Sequence, residues 1–248
     1  MTAADAVLLA AAGVVTGAIN AVAGGGSLVS FPALLAAGYG PLAANVTNLV
    51  ATLPGYLSAA GSSRPDLAGQ GPRVRTLSGA AALGAVAGTT LLLVGPADLF
   101  EALAPWLVLL ACALLALQPF AARWVSRAHA HPAPGRLVLT VGVASIYGGY
   151  FGAGLGIVLL AAMGLALDED LRLLNAVKQV LSLTVACVSA VAVALFGPVA
   201  WGAALIVGAG TLVGGRLGVG VARRLPEAVL RGAVIALGVT VAVVLLVR

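Results

Sequence analysis

Charge is scarce in this sequence of 248 residues, in which Asp, Glu, Lys and Arg together make up 8%. Soluble domains carry about a quarter charged residues, so this chain has too few to cover a surface that faces water. Hydrophobic residues make up 61%, and the mean hydropathy is +1.12. The composition therefore predicts an all-α, multi-pass membrane protein that contacts the lipid bilayer, and it gives no sign of nucleic-acid binding.

Reactive side chains are also few. Cys112 and Cys187 lie in separate apolar stretches and are predicted to be buried small residues, not a disulfide or a metal site. His129 and His131 share one loop and are too few to hold a metal ion. No nucleophile–base pair and no paired intramembrane carboxylates occur, so an embedded enzyme has little support. We therefore expect no cofactor, no metal and no catalytic residues.

Apolar stretches of bilayer length dominate the sequence. A span needs about 20 apolar residues, and six stretches meet this length: 42–60, 76–95, 99–119, 171–196, 199–221 and 227–247. Two further regions, 5–38 and 137–167, each consist of two shorter apolar pieces separated by glycines. The N-terminus has no basic region before its apolar stretch, so we do not expect a cleaved signal peptide.

The order of these segments predicts an internal duplication. A broken pair followed by three spans occurs twice, with a period of about 128 residues that aligns Gly24 with Gly152 and Gly26 with Gly154. The third elements match in the small-residue spacing that lets helices approach closely in lipid: Gly84 and Gly88 in one, Gly210, Gly214 and Gly215 in the other. The predicted units are repeat 1 (1–120), a linker (121–136) and repeat 2 (137–248).

Arginines predict the orientation. They cluster in the loops 61–75 and 120–136, which the positive-inside rule places in the cytoplasm. The second half has its basic cluster around 222–226, and both clusters are cytoplasmic only if the two halves are inverted. Inversion requires that 5–38 and 137–167 are re-entrant hairpins, which leaves both termini outside. Eight spans in parallel halves, with Arg223 and Arg224 external, are the alternative.

The glycine breaks are the first candidate site. Non-helical backbone at membrane depth is tolerated only where protein buries it or where it lines a wet cavity. Paired interruptions in the two halves of a transporter point to its substrate site. We predict two anion-binding tips near the midplane, one from Gly24, Gly25, Gly26 and Ser27 and one from Gly152, Gly154 and Gly156. The alternative is that these glycines only permit tight packing.

Lys178 is the second candidate, because it is the only lysine in the chain. It lies roughly 12 Å into a helix that follows Asp170, and a buried ammonium costs several kcal/mol unless it is paired. All eight acids lie at segment ends, so a substrate anion would supply the counter-ion. The alternative is that Lys178 snorkels to the cytoplasmic surface. Uncharged polar groups nearby complete the predicted site: Asn20, Asn45, Thr47, Asn48 and Gln179.

Two stretches of the sequence resemble a known family. The segment GAINAVAGGGSLVSFPALLAAGYGPLAANVTNL (17–49), its echo GGYFGAGLGIVLLAAMGLALDEDLRLLNAVKQVLSL (148–183) and the eight-segment duplication are similar to the TauE/SafE sulfite exporters. The family's first motif matches at Gly24, Gly25, Gly26, Pro32, Thr47 and Asn48. The resemblance covers nearly the whole chain.

The resemblance implies a carrier of sulfite, sulfoacetate or a related organosulfonate in the cytoplasmic membrane. An anion channel, or an importer of a related sulfur oxyanion, is the alternative. No carboxylate or histidine is predicted along the path, so we expect transport driven by the membrane potential instead of by protons. The sequence leaves open whether the chain forms a homodimer.

Overall fold

In the computed structural model the chain folds into helices, and no strand occurs in the part that the structure describes. The described residues are 1–22, 24–125, 134–164, 166–167, 169–222 and 227–247, and the side chains at 22, 118–125, 134, 171, 217–222 and 227–230 are not described. The helices are α1 (Ala3–Val22), α2 (Ser27–Ala36), α3 (Pro41–Ala51), α4 (Leu53–Ser62), a 3-10 helix (Arg64–Leu67), α5 (Gly71–Val94), α6 (Ala97–Val125), α7 (Pro134–Tyr150), α8 (Leu155–Gly164), α9 (Leu171–Phe196), α10 (Trp201–Ala222) and α11 (Glu227–Val247).

Four helices in the described residues are long and apolar enough to cross a membrane: Ala3–Ala21, Gly71–Val94, Ala97–Leu117 and Arg172–Phe196. Three of them coincide with predicted spans, and the fourth is the first arm of the first predicted hairpin. The prediction of an all-α membrane protein is thus confirmed. The histidines of the predicted linker, together with Arg127, Arg223 and Arg224, lie outside the described residues.

The predicted span 42–60 is divided in the structure. Helix α3 ends at Ala51 and α4 begins at Leu53, with Thr52 between them. Pro54 explains the interruption, because it has no N–H to donate to the carbonyl four residues earlier. Thr52 at the break is buried, as are Asn45, Thr47 and Asn48 of α3.

The chain reverses direction after α1. The Thr16 hydroxyl donates to the Gly26 carbonyl over 3.0 Å, although Gly26 lies ten residues further along the chain. Helix α2 therefore begins beside the middle of α1. With 10 residues α2 is about 15 Å long, which is half the hydrocarbon thickness of a bilayer.

Helices α7 and α8 form a similar reversal. The Leu155 side chain, at the start of α8, lies against Gly148 near the end of α7. At the far end of the pair, Leu137 from α7 and Leu167 after α8 line one cavity of about 340 Å³. The pair therefore begins and ends at the same level of the bundle.

Glycines bring α1 against α10 and α5 against α7. On α1, Gly13 lies beside Val207 and Gly17 lies beside Thr211, so α1 and α10 run parallel. Each glycine sits so close to its partner that a Cβ would lie under 3 Å from a backbone carbonyl oxygen. The predicted small-residue spacing therefore does allow close helix approach.

Helix α5 runs parallel to both α7 and α9. At its start, Arg73 pairs with Glu169 at 2.7 Å, just before α9 begins. Nearer its other end, the Thr89 hydroxyl donates to the Gly149 carbonyl at 3.1 Å and lies 2.9 Å from the Ser189 hydroxyl, within hydrogen-bond distance. A second ion pair joins Arg172 to Asp66 at 2.8 Å. The segments before α5 and before α9 therefore lie on the same face of the molecule.

Helices α3 and α4 run parallel to α10. The Ala200 N–H, just before α10, donates to Thr47 at 3.0 Å. Further along both elements, the Thr211 hydroxyl donates to the Ala51 carbonyl at 2.9 Å. Since only four residues separate α9 from α10, α10 returns in the opposite direction to α9.

Candidate anion site between two glycine loops

Two short loops form the turns of the two chain reversals, one between α1 and α2 and one between α7 and α8. We call residues 24–26 the first glycine loop and residues 152–154 the second glycine loop. Gly24 and Gly152 have φ of +72° and +78°, in the left-handed region that favours glycine. The Gly24 N–H donates to Ile19 at 3.0 Å, and the Gly152 N–H donates to Tyr147 at 3.3 Å. Donor and acceptor both recur after 128 residues, so the two loops begin with the same turn. They then diverge, because Gly26 has φ of −58° whereas Gly154 has φ of +80°.

Side chains of α1 close the first glycine loop. The Asn20 Oδ1 accepts hydrogen bonds from the N–H groups of Gly25 and Gly26, at 3.1 and 2.8 Å. A Cβ on Gly26 would lie 2.2 Å from the Thr16 carbonyl oxygen, so glycine is required there for packing. The N–H groups of Gly25 and Gly26, which we predicted to bind an anion, are therefore bonded to Asn20 in this structure.

The second glycine loop lacks such a cap. The position 128 residues after Asn20 is Gly148, which has no side chain to offer. The Tyr147 hydroxyl donates to the Ala153 carbonyl at 2.5 Å. Among the described residues, no acceptor is bonded to the N–H of Ala153 or Gly154, although both residues are buried. Buried N–H groups are nearly always paired, so these two donors point to a ligand or to water.

Lys178 lies deep in the bundle near this open loop. Its side chain is 0% exposed, and its Nζ has no hydrogen-bond partner in the described part of the chain. Its Cδ lies 3.4 Å from the place that a Cβ would take on Gly156, in the first turn of α8. A cation near a helix N-terminus is unfavourable, because both are positive. An anion between them would remove that conflict.

The two hairpin tips meet each other. A Cβ on Gly24 would lie 2.8 Å from the Gly156 Cα, so the first loop contacts the first turn of α8 backbone to backbone. The rings of Phe31 on α2 and Phe151 beside the second loop pack edge to face, with centroids 5.4 Å apart. The predicted tips are thus neighbours in the structure.

Two predicted amides bind helix ends. The Gln179 Nε2 donates to the carbonyls of Asn20 and Ala21 at the end of α1, at 3.2 and 3.0 Å. The Asn45 Nδ2 donates to the Tyr150 carbonyl at the end of α7, at 2.9 Å. These carbonyls have no partner within their own helices, so each amide holds a hairpin of the other half in place.

Thr47 and Asn48 also contact protein groups. Thr47 accepts the Ala200 N–H, as described above. The Asn48 Oδ1 accepts the Ser30 hydroxyl at 2.5 Å, which joins α3 to α2. Of these two residues, Asn48 reaches the cavity described next.

A small cavity lies between the two hairpins and α9. Its volume is about 10 Å³, room for about one water molecule. The predicted residues that line it are Ser27, Asn48 and Gly152, and Lys178 is not among the lining residues. The polar residues that the sequence analysis missed are Thr52, Tyr56 and Ser182. Ser182 could have been predicted from the sequence, because it lies one helical turn after Lys178 on the same face of the helix.

Comparison with known proteins identifies the family. The family profile described as "Sulfite exporter TauE/SafE" matches residues 9–245. The chain belongs to the TauE/SafE family. A relative in this comparison is the "Probable membrane transporter protein ORF9" of Sinorhizobium sp, which is 30% identical over 215 residues that cover 82% of this chain and 78% of the relative. No solved structure matches the chain. The TauE/SafE match makes this chain a membrane transporter.

Proposed function

We propose that this protein exports a small sulfur-containing anion, such as sulfite, sulfoacetate or a related organosulfonate, across the cytoplasmic membrane. The observation that carries the proposal is the buried ammonium of Lys178, which has no partner among the described residues and lies beside the first turn of α8, just after the second glycine loop. The substrate class follows the family, whose profile is described as a sulfite exporter.

A sulfur oxyanion suits the groups that lack partners. The cost of a buried ammonium, several kcal/mol, falls when an anion pairs with it. Sulfite and sulfonate groups each present three oxygen atoms, which can accept hydrogen bonds from Lys178 and from the N–H groups of Ala153 and Gly154. Charge-assisted bonds of this kind are about twice as strong as neutral ones.

We also propose that the two halves are inverted repeats, each a re-entrant hairpin followed by three spans. Helix directions support this arrangement. Helix α9 runs parallel to α5 and opposite to α10, whereas α5 and α10 occupy equivalent places in the two halves. Equivalent helices therefore run in opposite directions. The two ends of the α7–α8 pair lie at the same level of the bundle, where Leu137 and Leu167 line one cavity. This supports a hairpin that enters and leaves the membrane on the same face.

The sidedness follows from the arginines. Arg73, Arg75 and Arg136 all lie at the end of the molecule where α5 and α7 begin. By the positive-inside rule this end faces the cytoplasm, and both chain termini lie outside. The boundaries of the repeats and the cytoplasmic linker, 121–136, are part of the same proposal.

The small volume of the cavity supports a carrier over a channel. With room for about one water molecule, it must widen before a sulfur oxyanion can enter. Binding energy is then coupled to a conformational change, which is the property of a carrier. An open anion channel would need a continuous wet path in its resting state.

The driving force in this proposal is the membrane potential. A negative interior expels an anion with about 2.3 kcal/mol per charge per 100 mV. The described acids lie at segment ends, and Asp66 and Glu169 are ion-paired with arginines there, so none is placed to carry protons along the path. We therefore propose electrogenic uniport.

Flux from proteoliposomes tests the proposed function. Radiolabelled sulfite and sulfoacetate are loaded, a potassium-diffusion potential is imposed without a pH gradient, and chloride serves as the control anion. We expect saturable efflux of a sulfur anion that accelerates when the inside is negative. Absence of flux for both sulfur anions, or flux that follows a pH gradient and ignores the potential, would contradict the proposal.

Two cysteine variants test the inversion. Gly40→Cys and Asp170→Cys, made with Cys112 and Cys187 replaced, mark the residues before α3 and α9, which are equivalent in the two halves. With an impermeant thiol reagent we expect Gly40→Cys to label from outside and Asp170→Cys from the cytoplasm. Labelling of both from one side would establish parallel halves instead.

A further inference from the structure

Helix α9 carries an unusual group of polar atoms without partners. Seven buried side-chain nitrogen or oxygen atoms in the described residues have no hydrogen-bond partner, and four of them lie on α9: Asn175 Oδ1, Lys178 Nζ, Gln179 Oε1 and Ser182 Oγ. A folded protein leaves few such atoms unpaired, so four within eight residues require an explanation. The sequence analysis singled out two of these residues and did not include Asn175 or Ser182.

The four residues share one face of α9. At 100° per residue they lie within a sector about 100° wide. The adjacent face carries Leu174, Val177, Leu181 and Val185, which belong to a buried apolar cluster. The helix therefore separates an apolar face that packs against its neighbours from a narrow polar stripe, which we call the α9 stripe (Asn175, Lys178, Gln179 and Ser182).

The α9 stripe connects two places already described. At one end, one turn before Asn175, Arg172 pairs with Asp66 on the face assigned to the cytoplasm. At the other end, Ser182 lines the small cavity together with Val185 and Ala186. Lys178 lies between the two ends. The stripe thus leads from the surface past the ammonium to the cavity between the hairpins.

We propose that the α9 stripe lines the aqueous passage by which the anion reaches its site from the cytoplasmic face. This inference rests on the proposed function and adds two residues to it. Asn175 offers its amide to the hydrated anion before Lys178, and Ser182 donates its hydroxyl to the anion at the cavity. Water bound along the passage provides partners for the carbonyl oxygens of Asn175 and Gln179.

Thiol accessibility tests the passage without knowledge of the substrate. Asn175→Cys and Ser182→Cys are made with Cys112 and Cys187 replaced, and each is exposed from the cytoplasmic side to sulfonatoethyl methanethiosulfonate, an anionic reagent. Thr184→Cys is the matched control, because Thr184 lies on the opposite face of α9 and its hydroxyl donates to the Val180 carbonyl within the helix. The cationic trimethylammonioethyl reagent is compared at each site.

We expect the anionic reagent to modify positions 175 and 182 but not 184. At position 182 it should react about tenfold faster than the cationic reagent, because Lys178 attracts it. Adding Lys178→Met should abolish this preference and leave the labelling of position 175 in place. Equal reactivity at 182 and 184, no reaction at 182, or a charge preference that survives Lys178→Met would overturn the inference. Failure of the sulfur-anion flux assay would not affect this result, so the two proposals fail separately.

Discussion

The first and second glycine loops begin with the same turn, at Gly24 and Gly152, and have different partners. In the first, Asn20 accepts two N–H groups, and Gly26 packs against the Thr16 carbonyl. In the second, Gly148 occupies the place of Asn20, and the N–H groups of Ala153 and Gly154 have no partner among the described residues. Asn20 thus holds the N–H groups of the first loop, and we propose that the N–H groups of the second loop bind the anion instead.

This difference refines the meaning of a glycine run in a membrane helix. Glycine allows the turn in both loops, as the positive φ of Gly24 and Gly152 shows. Glycine alone does not decide what the exposed N–H groups bind. In the first loop, Gly26 is needed for tight packing against α1. In the second loop, anion binding by the N–H groups stays a prediction.

Breaking the first loop should have the largest effect. Gly26→Ala places a Cβ 2.2 Å from the Thr16 carbonyl oxygen, a clash with backbone that cannot move cheaply. Overpacking of this kind costs about 1–3 kcal/mol and sometimes more, so we expect little folded protein in detergent by size-exclusion chromatography. Gly142→Ala is the matched variant, since Gly142 lies within α7 without a positive φ and its Cβ would lie 3.8 Å from the Ala80 carbonyl oxygen. If Gly26→Ala were folded as well as Gly142→Ala, the first loop would not be a packing element.

Removing the cap should have the next largest effect. Asn20→Ala leaves the N–H groups of Gly25 and Gly26 buried without a partner, at about 1–3 kcal/mol for each unsatisfied group. We expect a clearly lower melting temperature and reduced transport that follows the loss of folded protein. The measurement is thermal unfolding alongside flux normalised to folded protein. Normal stability with transport abolished would show instead that Asn20 contacts the substrate.

Introducing an asparagine cap into the second loop should have a smaller effect, on anion binding and not on stability. Gly148→Asn offers an amide oxygen to the N–H groups of Ala153 and Gly154, which would then be closed to an anion. We expect anion binding to weaken about tenfold to a hundredfold, the size of one or two lost charge-assisted bonds. Gly148→Ala is the control, because it makes the same contact with the Leu155 side chain and has no amide. Equal binding by both variants would mean that these N–H groups do not hold the anion.

Much of the fold could be predicted because it depends on patterns that extend over many residues. Apolar length and glycine spacing predict the helices, and the glycines of α5 and α10 do lie at helix contacts. The division of 42–60 was missed, although Pro54 marks it, because the apolar length around Pro54 equals that of an unbroken span. Helix length alone cannot distinguish a straight span from two half-helices.

The site could be predicted only in part, for a physical reason. A polar residue in an apolar helix looks the same in sequence whether it binds a substrate or a backbone group. Asn20, Asn45 and Gln179 were grouped with the substrate residues, and in the structure each bonds a main-chain group of a hairpin. Lys178 differs, because no described group in the protein pairs with its charge.

The most direct test of the account compares the thermal stability of the wild type and Lys178→Met as sulfite or sulfoacetate is added, with chloride as the control. In the wild type a bound anion should raise the melting temperature, by the equivalent of about 2.7 kcal/mol at a concentration one hundred times Kd. Without anion, Lys178→Met should be more stable than the wild type, because it removes a buried charge that no described group pairs. Added anion should not shift the melting temperature of this variant. An anion-dependent shift in Lys178→Met equal to that of the wild type would contradict the claim that the substrate is the counter-ion of Lys178.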